Sequence, residues 1–254
     1  MRSLVLLFLL AAGAASEAAE PTAVPLNCRQ CLVVTTDSWS ATSGQLFAFA
    51  RARGGPWRRR GRAVPVLVGE RGLAWGRGLL PQPALPGPQK VEGDDKAPAG
   101  VFALGSAFGY AAEAPATKMT YLALSSHIVG VDDPRSRFYN QLVDTSKIGQ
   151  PDWRSAERMI LGDDRYKWGI VVKHNLPPKA GAGSCIFLHV WKDPKTVTVG
   201  CTAMPEAAVL DLIKWLDSAR HPLLIQLPAP LYNELRSKWA LPNHGLEGPS
   251  RRSR

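Results

Sequence analysis

The chain has 254 residues and a mass of 27.5 kDa, and its 45% hydrophobic residues are enough to bury a substantial core, which excludes wholesale disorder. Charged residues make up 20%, and 31 Lys+Arg against 21 Asp+Glu leave a net charge of +10. That charge is concentrated in two places: six arginines and no acid lie between Arg51 and Arg62, and Arg251, Arg252 and Arg254 end the chain. The remainder is nearly neutral, which excludes the broad basic face that nucleic-acid binding requires.

Met1-Arg2-Ser3, an unbroken apolar run over 4–10 and the small residues Ala11-Ala12-Gly13-Ala14-Ala15 read as a secretory signal, taken as residues 1–19. The run is shorter than the roughly 20 apolar residues that span a bilayer, and no later segment reaches that length. The mature protein is therefore expected to be exported to the periplasm, the extracellular space or the cell wall, without a transmembrane segment. Cys28 follows Pro25-Leu26-Asn27 well past the cut, which argues against a lipoprotein anchor. Export places all four cysteines in an oxidising space. Cys28 and Cys31 form a C-x-x-C with no second such pair and no clustered His, so a zinc site is not indicated and a local disulfide is expected.

From Cys31 onward the pattern predicts short strands over 32–36, 45–53, 63–68, 101–104, 121–124, 168–173, 184–191, 196–199 and 223–227. The arginine cluster sits in a turn signal, Gly54-Gly55-Pro56-Trp57 followed by Arg58-Arg59-Arg60-Gly61, and reads as solvated charge on a hairpin connection. Residues 79–88 carry four prolines and read as a loop. Two stretches read as helix, 153–161 and 205–216, the second with Pro205 in its first turn, Glu206 near its positive end and Ala208, Leu212 and Trp215 down one face. The sum is a mainly β fold with a few helices, one domain over 31–242, followed by a basic disordered tail over 243–254.

The chemistry lies in residues 184–204. Alternation along the predicted strand places Cys185, Phe187 and His189 on one face, with Cys185 about 13 Å from His189 at roughly 3.3 Å per residue, too far to share a proton. Cys201 is better placed, because Asp193-Pro194-Lys195 signals a turn and 196–200 can run back beside the first strand. A thiolate is the nucleophile, free Cys is mostly protonated near neutral pH, and a neighbouring imidazole accepts the proton. Gly200 permits a tight turn before the cysteine, and the helix opened by Pro205-Glu206 would lower the thiol pKa and offer oxyanion donors. The same pattern also fits a satisfied core histidine and a small buried cysteine.

The runs GSCIFLHVW (183–191) and TVGCTAM (198–204) resemble the signature of the L,D-transpeptidase (YkuD-type) catalytic domain, a His on one strand followed by S/T-x-G-C at the end of a neighbouring one. Upstream, Lys90-Val91-Glu92-Gly93-Asp94 with Pro98-Ala99-Gly100-Val101-Phe102 is similar to the segment that opens that domain, with Ala97 where Thr is usual. Val131 to Ser136 with Tyr139-Asn140, and Trp168-Gly169 with His174-Asn175, resemble its exported bacterial branch.

The resemblance implies a single β-sandwich domain with its core at about 88–228. In it Cys201 is the nucleophile and His189 its general base. Gly200, Thr198 and Thr202 supply the oxyanion and substrate-binding surround, and His174 and Asn175 orient His189 or bind substrate. It further implies attack on a peptidoglycan stem peptide after the third residue, loss of the terminal D-amino acid, and resolution of the thioester by an amine or by water. No metal or organic cofactor is required, the protein acts as a monomer, and nucleic acid is not a partner.

The chain departs from the commoner pattern at Val190, where Gly is usual, at Ala203, where Arg or Asn is usual, and in a His-to-Cys interval of 12 residues. Lys173 and Lys192 are candidates for the missing cation, though no spacing positions either. Two other classes stay open: a non-catalytic cell-wall-binding protein that kept the fold, and a secreted cysteine peptidase of other specificity.

Overall fold

The computed structural model describes residues 22–243 and 245, so the secretory signal and all but two residues of the basic tail lie outside the described residues. Thirteen strands and two helices follow in order: β1 (Gln30–Thr36), β2 (Ser43–Ala50), β3 (Arg58–Leu67), β4 (Leu73–Trp75), β5 (Ala97–Gly109), β6 (Tyr121–Ala123), β7 (Ile128–Val131), β8 (Gln141–Asp144), β9 (Ala156–Arg158), β10 (Trp168–Lys173), β11 (Phe187–Val190), β12 (Thr202–Met204), α1 (Glu206–Trp215), β13 (Leu223–Pro228) and α2 (Ala229–Leu235). The fold is mainly β, as the short strand-like pattern predicts.

Pairing runs β10–β11–β12–β3–β2–β1–β13–β5 and returns from β5 to β10, so the principal sheet closes into a barrel-like ring. The 13 residues of β5 make closure possible. Their first part pairs with β13 at 100–103 and their second with β10 at 103–109, across a register shift between Ile170 and Val172. Such an irregularity bends and twists a strand enough to serve two neighbours. β4 and β6 extend β5 at its two ends, and β8–β7–β9 form a separate small sheet. Among the described residues no helix is long and apolar enough to cross a membrane.

Several local expectations are corrected. Residues 153–161 are not a helix but contain β9, held by pairing to β7 from Val129↔Arg158 to Val131↔Ala156. A helix this short is marginal on its own, and the strand partner decides the outcome. Arg58, Arg59 and Arg60 are part of β3, opposite Ala50, Phe49 and Ala48, rather than of a turn. Their charges are also partly engaged, Arg59 stacking 4.8 Å from the Phe47 centroid and Arg60 bonding both oxygens of Asp211. Residues 196–199 form no strand, only a single bridge from Thr198 to Gly69. α1 turns the expected face inward, with Leu212 buried and Ala208 and Trp215 packed partly buried against the main core, but the face is centred on Val209, Leu212 and Ile213, which are its buried residues. Cys28 and Cys31 are free thiols, both buried, and the Cys28 thiol donates to the Gln30 carbonyl at 3.3 Å instead of bridging.

Two apolar clusters divide the barrel wall at β11. Ile186, Leu188 and Val190 enter the main core with Ile170, Val172 and Met204. Phe187 faces the other way, into a smaller cluster with Phe108, Tyr166, Met159 and Cys201. The candidate site lies on that second face.

Candidate active site

β11 and β12 run parallel, with Leu188↔Thr202, His189↔Ala203 and Val190↔Met204 in register. The expected antiparallel return is therefore replaced by a crossover through 191–201, in which Thr198 is pinned to a neighbouring segment: its N–H donates to Val68 O at 3.1 Å and its carbonyl accepts from Glu70 N at 2.7 Å. Since alternate residues share a face, Cys201 and Ala203 lie on the same side as Phe187 and His189. The juxtaposition of Cys201 and His189 is thus present, through parallel rather than antiparallel pairing. Cys185 does not share that strand: its φ of +51° lies outside the extended region and β11 begins only at Phe187.

The turn before Cys201 is built tightly. Gly200 has φ +151°, where an L side chain is strained, and an added Cβ would meet Lys96 O at 3.3 Å. The Thr198 hydroxyl donates to Cys201 O at 2.6 Å and accepts from Gly200 N at 3.2 Å, so it clamps both ends of the turn. Cys201 Sγ accepts the Phe187 N–H at 3.3 Å and donates to Cys185 O at 3.7 Å. That backbone N–H favours a thiolate. Burial acts in the opposite direction and wins, holding the Cys201 thiol at about 12, with the charge of Glu157 as the next contribution. The expected helix-terminus effect is absent because β12 intervenes. Three strand residues carry the chain roughly 10 Å before α1 begins, and a helix terminus acts only over its first turn.

His189 is 5% exposed, and its Nδ1 lies 2.8 Å from the Val190 carbonyl. A carbonyl only accepts, so the proton sits on Nδ1 and Nε2 carries the lone pair. The ring meets the edge of Tyr166 at 5.2 Å between centroids and 89° between planes. Opposite His189 on β10 is Gly169, where a Cβ would come within 2.2 Å of the Phe108 ring, and Phe108 in turn packs on Tyr166 and Phe187. Burial lowers the His189 pKa to about 4. The resting pair is a neutral thiol and a neutral imidazole, and no hydrogen bond joins them.

Both side chains line one pocket of about 90 Å³, together with Glu157, Arg165, Tyr166 and Lys192. Tyr166 donates its hydroxyl to Glu157. Sequence reasoning missed Glu157, Arg165 and Tyr166, which come from β9 and the turn before β10. The available signal was that Tyr166 stands two residues before Trp168, at the head of the strand that pairs with the histidine strand. Lys192 lines the pocket and Lys173 does not.

The other expected site residues lie elsewhere. The Thr202 hydroxyl donates to Gln226 Oε1 at 2.8 Å, on the opposite face from Cys201. His174 Nε2 donates to Ala182 O at 3.0 Å, and burial lowers its pKa to about 4. Asn175 bonds the backbone of Lys179 and Gly183. Neither lines the pocket; they shape the loop over 175–184. Asn140 completes that support by donating to the carbonyls of His174 and Asn175 and accepting the Cys185 N–H. Among the described residues no group of three or more His, Cys, Asp or Glu side chains is arranged to hold a metal ion.

Comparison with protein-family models and with curated proteins finds no match to this chain.

Proposed function

We propose that the chain is an exported L,D-transpeptidase-like β-sandwich domain, its layers joined at their edges, that acts as a cysteine acyltransferase on peptidoglycan stem peptides. One observation carries this reading: Cys201 and His189 face a common pocket from adjacent strands, and the imidazole holds its proton on Nδ1, away from the lone pair a general base needs. The thiol hydrogen leaves Cys185 O, turns to His189 Nε2 and is transferred as sulfur attacks the carbonyl of the third stem residue. The tetrahedral intermediate collapses, the imidazolium protonates the departing amine of the terminal D-amino acid, and a thioester remains. An acceptor amine, losing its proton to Nε2, forms the crosslink and returns the proton to sulfur; water in its place gives the carboxypeptidase outcome. Because the resting pair is neutral, proton transfer accompanies attack instead of preceding it.

Cys201→Ala and His189→Ala are each expected to abolish thioester formation with a tetrapeptide donor while the folded circular-dichroism spectrum is retained. Normal acylation of the Cys201 variant would remove the proposal. The protonated resting thiol favours one second reading, a non-catalytic cell-wall-binding protein. It would bind isolated peptidoglycan sacculi and leave their muropeptide profile unchanged.

A further inference from the structure

The arginines concentrated over 51–62 are gathered by the fold with others at one end of the barrel. Gln30 at the start of β1 pairs with Ala50 at the end of β2, Ala50 pairs with Arg58 at the start of β3, and Cys31 lies beside Leu223 at the start of β13. Arg29, Arg51, Arg53, Arg58, Arg59 and Arg220 therefore sit around a single rim. Arg51 spends its N–H groups on the carbonyls of Cys28 and Pro25, and Arg29 on that of Ala219, which leaves both charges without a counter-ion. Arg53, Arg58 and Arg59 are exposed, and of the six only Arg220 faces an acid among the described residues, with Asp217 at 3.7 Å.

Two apolar groups stand among these cations. Leu26 is 66% exposed in the turn that Cys28 N closes on Pro25 O at 3.0 Å, the same turn that Arg51 holds. Trp57, half-buried, carries the Arg51 guanidinium 4.1 Å from its ring centroid and donates through Nε1 to Ala240 O at 3.4 Å. Val24 N donates to Trp239 O at 3.0 Å, so the described chain both enters and leaves at this rim. We infer that the rim is a docking surface for an anionic lipid bilayer, its arginines meeting headgroup phosphates while Leu26 and Trp57 enter the boundary between headgroups and acyl chains. A soluble polyanion calls for charge alone; an exposed leucine ringed by arginines fits a surface that is charged outside and apolar beneath. The hairpin tip projects, with Ala52, Arg53, Gly54 and Pro56 exposed and nothing within 4 Å of a Cβ built on Gly54, so the rim meets a plane and does not enclose a small ion. Each cation near such a surface is worth about fivefold in affinity, and less as salt rises. β3 leads from this rim at Arg58 to Leu67 opposite Ala203 of β12, about 30 Å away at roughly 3.3 Å per residue, so docking leaves the pocket beside Cys201 clear of the bilayer.

Co-sedimentation of the full chain with vesicles tests this independently of any reaction at Cys201. Partition into phosphatidylcholine vesicles containing about one-third phosphatidylglycerol is expected to exceed that into phosphatidylcholine alone by about tenfold or more at ~0.1 M NaCl, and to fall toward the neutral value at ~0.5 M. Arg53→Glu/Arg58→Glu, at two exposed positions, should lower binding to the anionic vesicles by about tenfold or more, and Leu26→Ser by about threefold with its salt dependence unchanged. Lys147→Glu/Lys195→Glu, an equal change of net charge at exposed positions on other elements, should leave it within about twofold. All variants share the apolar run over 4–10, so differences between them report on the rim. Equal partition into the two kinds of vesicle, or equal losses in the two charge-reversed variants with folded circular-dichroism spectra, would overturn the inference. Binding to soluble polyphosphate as tight as to the anionic vesicles, and indifferent to Leu26→Ser, would also overturn it and assign the rim to a soluble polyanion.

Discussion

Two regions of this molecule hold pairs of cysteines, Cys28 with Cys31 and Cys185 with Cys201, and they differ in what surrounds the sulfur. Cys28 lies just before β1 and Cys31 near its start, 1% and 0% exposed, with burial pushing Cys28 up to about 11 and Cys31 well above its ordinary value. Arg51 lies close by, donating to the carbonyls of Cys28 and Pro25, and its charge pulls both thiols downward without overcoming burial. Cys201 is also held up by burial, yet it stands at a pocket with an imidazole on the neighbouring strand and a backbone N–H on its sulfur. A resting pKa thus does not separate the two regions. Access, a base and an N–H donor do.

Substitution should separate them most sharply. Cys201→Ala is expected to lower the rate of donor acylation by at least about a thousandfold, the scale of losing a covalent nucleophile, whereas Cys28→Ala should leave it within about twofold. Stopped assays of thioester formation check this, and comparable losses at both positions would erase the contrast. Backbone geometry comes next. Gly200→Ala forces an L side chain into φ +151° and against Lys96 O, so a loss of about 1–3 kcal/mol in urea unfolding is expected.

Stability should also depend on pH through the two buried histidines. His189 and His174 are lowered from an ordinary 6.5 to about 4 by burial. Between these values the unfolded chain takes up a proton at each position and the folded chain does not. Stability is therefore full above about pH 6.5 and falls as the pH drops toward 4, by up to about 3 kcal/mol per histidine. Urea midpoints measured across that window would show it, and a flat profile would contradict the burial of both rings. The smallest effect belongs to the surface: Arg60→Ala breaks a pair with Asp211 whose side chains are 37% and 56% exposed, and should cost less than about 1 kcal/mol.

The parts of the fold that could be read from sequence were those with strong local patterning. β10 is predicted over its full length, and β1 and β13 nearly so, because each is an apolar run bounded by turn residues. The facing of Cys201 and His189 was legible because the turn at 193–195 leaves few routes back. The direction of that route was not, since parallel pairing depends on Thr198 meeting Val68 and Gly69, more than a hundred residues away. Glu157 and Tyr166 escaped for a related reason. β9 is three residues long and exists through its pairing to β7, so no periodicity marks it, and Tyr166 reaches His189 only once β10 has paired with β11. Thr202 was misplaced by one step of alternation: a residue beside the nucleophile in sequence points to the opposite face of its strand.

The most direct test of the central claim is intact-protein mass spectrometry with peptide mapping after exposure of the folded chain to a carbapenem acylating agent. The account predicts a single adduct on Cys201 that disappears in His189→Ala. An adduct on Cys28, Cys31 or Cys185 in its place, or none at all, would contradict it.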